Sequence, residues 1–345
     1  MKLAIHHRAE SFSEKWVEYC NNNGIAYELV DCYSSSAVEE IKKCNGLMWH
    51  WPHHDHKAQL FARQLIYSLE EIGIKVFPNS KTCWHYDDKV GQKYLLEAID
   101  APLVPSYVFY DKNQALDWAA STTYPKVFKL RSGAGSKNVK LVSDFRSASR
   151  LIRRAFGKGF KATERWSFLA ERLWHFKRDR NVQSFINISR GIGRLLIPSN
   201  AEIHLPVEKN YVYFQDFIPN NTCDVRITVI GRRAFGFVRL VRDNDFRASG
   251  SGKILYDRER VPHKCINISF QIARKLSAQS IAIDFVVNNK ASGNDQPLIV
   301  EISYAYNARA VYGCGGYWDE YSEWHDIAIW PQDAIIEEFL DYCNK

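Results

Sequence analysis

Along the first eighty residues, short apolar runs alternate with stretches in which apolar residues recur every three or four positions. The runs predict strands at residues 2–6, 26–30, 46–49 and 75–77. The periodic stretches predict helices at residues 13–23, 37–43 and 57–73. Strands that alternate with helices are typical of a parallel sheet covered on both faces. We therefore predict an N-terminal α/β domain. No G-x-G-x-x-G follows the first strand, which argues against a dinucleotide-binding unit.

Hairpin patterns dominate the rest of the chain. One predicted hairpin turns through the small residues 132–136, and a second joins strands 281–287 and 297–302 through a polar turn. The other predicted elements are helices 87–98, 114–120, 145–156, 163–176 and 265–276 and strands 104–110, 211–217, 224–230 and 233–241. This pattern predicts an α/β protein with α+β character in its central and C-terminal parts. We predict three domains, at 1–85, 86–214 and 215–345.

The composition excludes several classes of protein. Hydrophobic residues make up 46% and charged residues 25% of the 345 positions, which is typical of a folded chain rather than a disordered one. No apolar run approaches the roughly 20 residues of a membrane span, and the N-terminus lacks the apolar core of a signal peptide. The eight cysteines include no C-x-x-C pair, so we expect reduced thiols rather than a zinc site. We expect a cytoplasmic protein.

The positive charge is concentrated in one segment. Residues 145–195 contain thirteen lysines and arginines and three acidic residues, whereas the whole chain has a net charge of +7. Such a segment indicates an anionic ligand nearby, or simply a solvated helical face. Its interleaved aromatic residues would also suit single-stranded nucleic acid. Because no recognised nucleic-acid module is present, we expect no nucleic-acid partner.

Two lysines occupy positions that suit phosphate binding. Lys129 ends an apolar strand just before the glycine-containing turn at residues 132–136, and Lys89 lies where a helix opens. Glycine lets backbone N–H groups approach phosphate oxygens, and lysine supplies a point charge. The alternative is an ordinary hairpin with a lysine whose charged end reaches solvent.

Two carboxylates lie in the apolar strands of the last predicted hairpin. Asp284 and Glu301 can face the same side of an antiparallel pair. Buried carboxylates must be protonated or compensated by a cation. A divalent ion with oxygen ligands is the simplest compensation, so the sequence predicts a metal site.

The order of these features resembles the ATP-grasp superfamily over nearly the whole chain. The resemblance is closest to its carboxylate–amine ligases, which include ribosomal-protein glutamate ligases, glutathione synthetases and D-alanine–D-alanine ligases. It implies an ATP-grasp fold preceded by a parallel-sheet pre-ATP-grasp domain. It also implies ATP, with Mg²⁺ or Mn²⁺, and amide bond formation through an acyl phosphate between a small carboxylate and an amine.

The resemblance also implies roles for individual residues. Those implied to contact ATP are Lys89, Lys129, Ser132, Gly133, Gly135, Ser136, Gln215, Asp216, Phe217, Ile218 and Asp224. Residues 215–218 would form the interdomain hinge that pairs with adenine, and Asp224 would lie near the ribose. The residues implied to stabilise the transferring group are Lys129, Arg226 and Arg247.

The metal ligands implied by the resemblance are Asp284 and Glu301, with one departure from the family pattern. The family usually has Glu-x-Asn where this chain has Glu301-Ile302-Ser303. Side chains on a strand alternate with period two, so residues 301 and 303 share a face. We therefore expect Ser303 as the third ligand, with Asn307 as the alternative.

Two stretches rich in tryptophan and histidine, at residues 49–56 and 315–325, resemble uncharacterised ATP-grasp proteins, some associated with bacterial surface-polysaccharide synthesis. Their flat side chains with polar tips suit sugar rings or a carboxylate. The candidate substrate residues are His53, His54, Trp318, Asp319 and His325. Metal binding and plain loop packing are the alternatives. A rival function is another ATP-grasp phosphoryl-transfer or carboxylase-type enzyme. The oligomeric state stays open, a homodimer included.

Overall fold

The computed structural model describes residues 1–53, 55–133, 138–161, 206–242, 245–288 and 296–344. The predicted helix 163–176, most of the basic segment, and the candidate residues His54, Gly135 and Ser136 lie outside the described residues. The chain forms two compact units. The first consists of Met1–Val104 and Ile218–Lys345, and the second of Pro105–Phe217. The division into three domains stays a prediction.

The N-terminal part of the first unit is a parallel sheet with helices, as the alternating pattern predicts. Its strands are β1 (Lys2–Ile5), β2 (Ala26–Leu29), β3 (Gly46–Met48) and β4 (Lys75–Phe77), and its helices are α1 (Phe12–Asn22), α2 (Ala37–Ile41), α3 (His56–Glu71) and α4 (Ser80–Cys83). The strand order is β2-β1-β3-β4, and each neighbouring pair is parallel. Apolar side chains on both faces of this sheet are buried, which is typical of parallel sheets.

The second unit contains an antiparallel sheet with helices. Its described elements are β5 (Ser106–Phe109), α6 (Lys112–Ser121), β6 (Lys126–Lys129), β7 (Val139–Val142), α7 (Phe145–Ala155) and β8 (Val212–Asp216). The strand order is β5-β8-β6-β7. A core that includes Phe128, Ile152 and Phe214 joins the sheet to both helices. The predicted hairpin at 125–142 is present as the pair β6–β7.

A larger antiparallel sheet completes the first unit. Its strands are β9 (Cys223–Ile230), β10 (Arg233–Leu240), β11 (Ile254–Leu255), β12 (Ser280–Asn288), β13 (Gln296–Ser303), β14 (Tyr317–Trp318) and β15 (Trp324–His325). The strand order is β13-β12-β9-β10-β14-β15, and β11 pairs with β10. The accompanying helices are α5 (Lys89–Ala98), α8 (His263–Leu276), α9 (Ala308–Tyr312) and α10 (Pro331–Asn344).

The two faces of this larger sheet differ in chemistry. On one face, alternate residues such as Val225, Ile227 and Val229 pack against apolar residues of α5 and α8. The opposite face is apolar at one end, where Ile230 and Phe235 join a core shared with α10. At the other end of the same face the alternating positions are charged. The candidate site is built on that charged end.

Two further features match the sequence analysis. All eight cysteines are free thiols, and five of them are buried. No helix within the described ranges is long and apolar enough to cross a membrane.

Candidate functional site

Four charged side chains pair at the charged end of the larger sheet. We call them the carboxylate–guanidinium cluster, and they are Asp224, Arg226, Arg239 and Asp284. Strand register brings them together, because Asp224 lies opposite Arg239 and Arg226 lies opposite Asp284. Nε and Nη2 of Arg226 donate to Oδ1 and Oδ2 of Asp284 at 2.6 and 2.7 Å. Nε and Nη2 of Arg239 donate to Asp224 at 2.7 and 2.6 Å. Arg239 Nη2 also lies 2.9 Å from Asp284 Oδ2, so one network joins three strands.

Burial and charge act in opposite directions on these carboxylates. Burial by itself would raise the pKa of Asp284, but the guanidinium groups of Arg226 and Arg239 hold it well below its usual range. Burial raises the pKa of Asp224, and Arg239 opposes that rise. The pKa of Arg239 is raised because its two carboxylate partners outweigh the effect of burial. With two arginines and two carboxylates, the cluster balances its own charge.

A second ion pair, Lys89–Glu301, lies beside the cluster. Asp284 and Glu301 are directly opposite each other on β12 and β13, and the register shifts just after Asp284. Lys89 is the first residue of α5, whose N-cap Asp88 accepts a hydrogen bond from Gly91 N. Lys89 Nζ lies 3.1 Å from Glu301 Oε1. Burial would lower the pKa of Lys89, but Glu301 together with the nearby charges of Asp87 and Asp88 more than offsets this effect, and the pKa is raised.

The sequence argument assigned the compensation of these carboxylates to a divalent ion, and that metal site stays a prediction. In the structure, arginine and lysine side chains compensate Asp284 and Glu301. Nowhere in the described ranges do three or more His, Cys, Asp or Glu side chains converge as a metal site. Two adjacent carboxylates still suit Mg²⁺, which often takes one or two protein carboxylates and completes its coordination with phosphate oxygens and water. The donor set therefore fits a Mg²⁺ ion that is bound together with phosphate.

The two candidates for a third metal ligand both bond to nearby backbone. Ser303 Oγ donates to Ala305 O at 2.8 Å and accepts from Ala305 N at 3.2 Å. Asn307 is the N-cap of α9, where its side-chain oxygen accepts from Arg309 N and Ala310 N. A role for Ser303 on the metal stays a prediction.

In the second unit, Lys129 is held in a buried polar network. Its Nζ donates to Gln215 Oε1 at 2.6 Å, and Gln215 Nε2 donates to Ser106 Oγ at 3.1 Å. Tyr213, which is paired with Lys129 across β6 and β8, also donates to Ser106 Oγ. The network fixes the orientation of Lys129 on its strand, because each of its members is anchored to another strand of the sheet.

In the turn that follows Lys129, the structure describes residues up to Gly133 and again from Asn138. Ser132 Oγ donates to Glu208 Oε1 at 2.5 Å, and Tyr211 OH donates to Oε2 of the same carboxylate at 2.8 Å. Gly133 has a φ of +107°, a conformation that favours glycine over residues with a Cβ. Glycine is therefore required by the backbone at this position.

The predicted hinge lies at the end of β8. Asp216 N donates to Pro105 O at 2.8 Å, and the Asp216 carboxylate accepts from Lys126 Nζ at 2.6 Å. The chain passes from the second unit to the first between Phe217 and Ile218. The unit boundary therefore falls inside the segment 215–218, whose contact with adenine stays a prediction.

Arg247 has a partner of its own, outside the cluster. Its Nη2 lies 2.6 Å from Asp245 Oδ2, and its Nε also donates to that carboxylate. Burial by itself would raise the pKa of Asp245, but the hydrogen bonds and charge of Arg247 lower it. The structure thus brings Arg226 to Asp284 and leaves Arg247 paired within its own loop.

The two tryptophan- and histidine-rich stretches lie in different parts of the first unit, one after β3 of the parallel sheet and one near the C-terminus. In the C-terminal stretch, His325 Nε2 lies 2.8 Å from Asp319 Oδ2, and Asp319 also accepts backbone N–H groups, which is typical of a stabilised turn. Trp318 is buried against Trp324. In the N-terminal stretch, the half-buried His53 follows the carboxyl end of the first sheet.

The sequence analysis missed Arg239 of the cluster, and Ser106 and Tyr213 of the Lys129 network. Arg239 carries a usable signal, because it is a basic residue in an apolar strand on the same alternating face as Phe235 and Phe237. A cation at a buried strand position requires a carboxylate partner. Ser106 carries no such signal, because serine is common at strand ends.

Comparison with known proteins finds similarity in structure but not in sequence. Neither the scan against family models nor the search of curated proteins finds a match. A RimK domain ATP-grasp protein from Sphaerobacter thermophilus matches with a TM-score of 0.55 and 15% identity over 100% of both chains. A carboxyaminoimidazole ribonucleotide synthase from Aspergillus clavatus, complexed with ATP, matches with a TM-score of 0.56 and 12% identity over 99% of this chain and 76% of its own.

A third similar structure is the ATP-grasp ligase PsnB in complex with a minimal precursor, Mg and ADP, with a TM-score of 0.52 and 11% identity over 100% of this chain and 98% of its own. The chain therefore has the ATP-grasp fold, and the predicted α/β architecture is confirmed. At these identities the comparisons establish the fold alone. The reaction must be argued from this chain's own residues.

Proposed function

We propose that this protein is an ATP-dependent carboxylate–amine ligase. In the proposed reaction a substrate carboxylate oxygen attacks the γ-phosphorus of ATP, which forms an acyl phosphate and releases ADP. The amine then attacks the acyl carbon, loses a proton and expels phosphate, which leaves an amide. A sugar acid or another small acid is the proposed carboxylate substrate.

The observation that carries this proposal is the carboxylate–guanidinium cluster together with Lys89–Glu301 on one face of an ATP-grasp sheet. The bonds to Asp284 use Nε and Nη2 of Arg226, so its Nη1 donors are left to meet a phosphate or carboxylate oxygen. Because Asp284 fixes the guanidinium, little reorganisation is required when charge develops on a transferring phosphoryl group. No covalent protein nucleophile is required for this chemistry.

The proposed cofactors are ATP and Mg²⁺, with Asp284 and Glu301 as the metal ligands. When bound, the metal would neutralise phosphate charge during transfer. Lys89 and Lys129 would each supply a positive charge to phosphate oxygens, and each is already oriented by an oxygen of its partner, Glu301 or Gln215. Glu301 is the more accessible carboxylate, with its side chain 32% exposed against 12% for Asp284.

The test is ADP release in a matrix of amino acids paired with uronic acids and with small peptides. A carboxylate–amine ligase must release ADP and phosphate in proportion to the amide formed, and only when acid and amine are both present. Hydroxylamine offered in place of the amine should trap the acyl phosphate as a hydroxamate. ADP release that depends on bicarbonate instead would indicate a carboxylase-type enzyme and would overturn the proposal.

A matched pair of variants connects the activity to the cluster. We expect Asp284→Asn to lose ligase activity, because it removes a proposed metal ligand and the negative charge that pairs with Arg226. The control is Asp257→Asn, since the Asp257 side chain is 52% exposed and lies in a surface turn. Equal activity in both variants would show that Asp284 has a structural role only.

A further inference from the structure

Helix α3 carries two exposed apolar side chains on one face. Its other side packs on the first sheet through Ala58, Ala62, Ile66 and Leu69. Leu60 is 77% exposed, more than any other aliphatic side chain in the described ranges, and Tyr67 is 44% exposed. A single exposed leucine is ordinary, but apolar residues seven positions apart lie on the same face of a helix and together form a surface.

The exposed positions of this face recur every three or four residues. They are Lys57, Leu60, Gln64, Tyr67, Ser68 and Glu71, with the half-buried Phe61 beside them, and we call them the α3 stripe. A repeat that averages 3.5 residues is the spacing at which two helices pack along their length. At 1.5 Å per residue the stripe is about 21 Å long, which allows about four turns of contact.

The α3 stripe is complementary to a second copy of itself in the antiparallel direction. With a twofold axis beside Gln64, residues at equal distances before and after Gln64 come level with each other. Lys57 and Glu71 lie seven residues to either side, so opposite charges meet at both ends of the pair. Leu60 then lies beside Tyr67 of the second copy. A parallel pair would instead place Lys57 against Lys57 and Glu71 against Glu71, and like charges repel.

Lys57 and Glu71 have charge available for such a contact. Neither forms an ion pair with another residue of the described ranges, and Lys57 Nζ lies over the Tyr33 ring, 5.5 Å from its centre. The other charged side chains of α3, Arg63 and Glu70, bond to backbone groups of neighbouring segments. Antiparallel pairing therefore joins the two charges of the helix that the described part of the fold leaves without an ion pair or a hydrogen bond.

We propose that the α3 stripe is the interface between two copies of this chain, which pack α3 against α3 in antiparallel orientation about a twofold axis at Gln64. This interface is independent of the proposed ligase function, because no residue of the stripe belongs to the carboxylate–guanidinium cluster or to the Lys129 network. Two helices cover less surface than a standard protein interface, so the dimer is expected to form at micromolar rather than nanomolar concentration.

Sedimentation velocity of the full chain over a range of protein concentrations tests the interface. We expect wild type to pass from monomer to dimer, and Leu60→Asp to weaken the dimer by about a hundredfold or more, because it would bury two unpaired carboxylates. The control is Ile327→Asp, since Ile327 is 58% exposed in the same unit but lies outside α3. Because Leu60 is exposed in the monomer, its replacement should leave the fold intact, and circular dichroism verifies this.

A charge exchange tests the antiparallel orientation. Lys57→Glu and Glu71→Lys should each weaken the dimer by about tenfold or more, because each variant replaces two opposite-charge contacts with two like-charge contacts. The double variant Lys57→Glu/Glu71→Lys restores both contacts in reverse and should return the affinity to within about threefold of wild type.

Three outcomes would overturn the interface. A monomer at every concentration up to the solubility limit would assign the α3 stripe to another partner. Equal dimer affinity in wild type and Leu60→Asp would place the contact between copies elsewhere on the surface. A double charge variant that dimerises no better than its single variants would exclude the antiparallel arrangement about Gln64.

Discussion

At the scale of the residue, two buried lysine side chains are each held by a specific hydrogen-bond or ion-pair partner. Lys89 and Lys129 are each about 5% exposed, and each bonds to a specific oxygen, of Glu301 and Gln215 respectively. A charged lysine is rarely buried unless it is paired. These two lysines are therefore held in place before any ligand binds, which is the arrangement that a phosphate site requires.

We predict that Lys89→Ala and Lys129→Ala each weaken ATP binding by about tenfold to a hundredfold, because each removes a charge-assisted contact of roughly 1.5–3 kcal/mol. Isothermal titration with a non-hydrolysable ATP analogue measures the change. Lys112→Ala is the control, since Lys112 is exposed at the start of α6. Unchanged affinity in both test variants would remove the lysines from the ATP site.

His85 gives the protein a predictable response to pH. Burial, and then the charge of Arg63, lowers its pKa to about 4. The unfolded chain, with a pKa of about 6.5, takes up a proton as the pH falls, whereas the native His85 does not until about pH 4. The free energy of unfolding should therefore fall, with His85 contributing about 2 kcal/mol of the loss between pH 7 and pH 5.

Urea unfolding at pH 7, 6 and 5 measures this effect. We expect the His85→Gln variant to lose less stability than the wild type over the same interval, because glutamine takes up no proton. Parallel pH dependences for the two proteins would show that His85 is not the group responsible.

At the scale of the element, strand register decides which charged side chains of the candidate site lie next to each other. Asp284 and Glu301 are neighbours because β12 and β13 pair in one register, and Arg226 reaches Asp284 because β9 and β12 pair in another. A shift of one residue would turn every side chain of a strand to the other face. With Arg239 on β10, the candidate site is thus a property of four paired strands.

We predict that Asn307 acts on stability and leaves the metal requirement unchanged. Asn307→Ala should destabilise the protein by about 1 kcal/mol, because it removes the N-cap of α9, whereas Asn307→Asp should retain the cap. Thermal unfolding measures the stability, and titration of Mg²⁺ against ATP turnover measures the metal requirement.

Ser303 is tested in the same assay. If Ser303 serves as the third ligand, Ser303→Ala should raise the Mg²⁺ requirement and Ser303→Asn should preserve turnover. A raised Mg²⁺ requirement in Asn307→Ala but not in Ser303→Ala would assign the ligand to Asn307 instead.

At the scale of the whole molecule, charge balance couples the proposed metal to the nucleotide. The carboxylate–guanidinium cluster and the Lys89–Glu301 pair each carry no net charge as they stand. Adding Mg²⁺ alone would leave two positive charges uncompensated beside the buried Arg239 and the half-buried Arg226, which is unfavourable. The phosphates of the proposed nucleotide would supply the missing negative charge.

We therefore predict that ADP with Mg²⁺ raises the melting temperature by more than the sum of their separate effects, and that Mg²⁺ alone has almost none. Ligands that bind only the native state stabilise it by mass action, so differential scanning fluorimetry reports this coupling. Asp284→Asn should abolish the synergy and Asp257→Asn should retain it. A large shift with Mg²⁺ alone would contradict the charge argument.

The local pattern of the chain was enough to predict most of the elements. The parallel sheet over residues 2–77, the hairpin of β6 and β7, and the pair β12–β13 follow from alternation and turn residues, which act over a few positions. The ATP-grasp fold was implied by a resemblance to that superfamily, and the structural comparisons confirm it. Boundaries of the described elements differ by at most two residues, because element ends depend on capping and pairing.

Only the tertiary structure decided which charges meet. The sequence placed carboxylates at 284 and 301 but assigned their compensation to a metal, because nothing local shows that Arg226, 58 residues away, reaches Asp284. Likewise Arg8 and His50 are 42 residues apart and meet because β1 and β3 are parallel neighbours. Periodicity is a short-range property of the chain, whereas the pairing of buried charges depends on strand register across the sheet, and register is settled by packing.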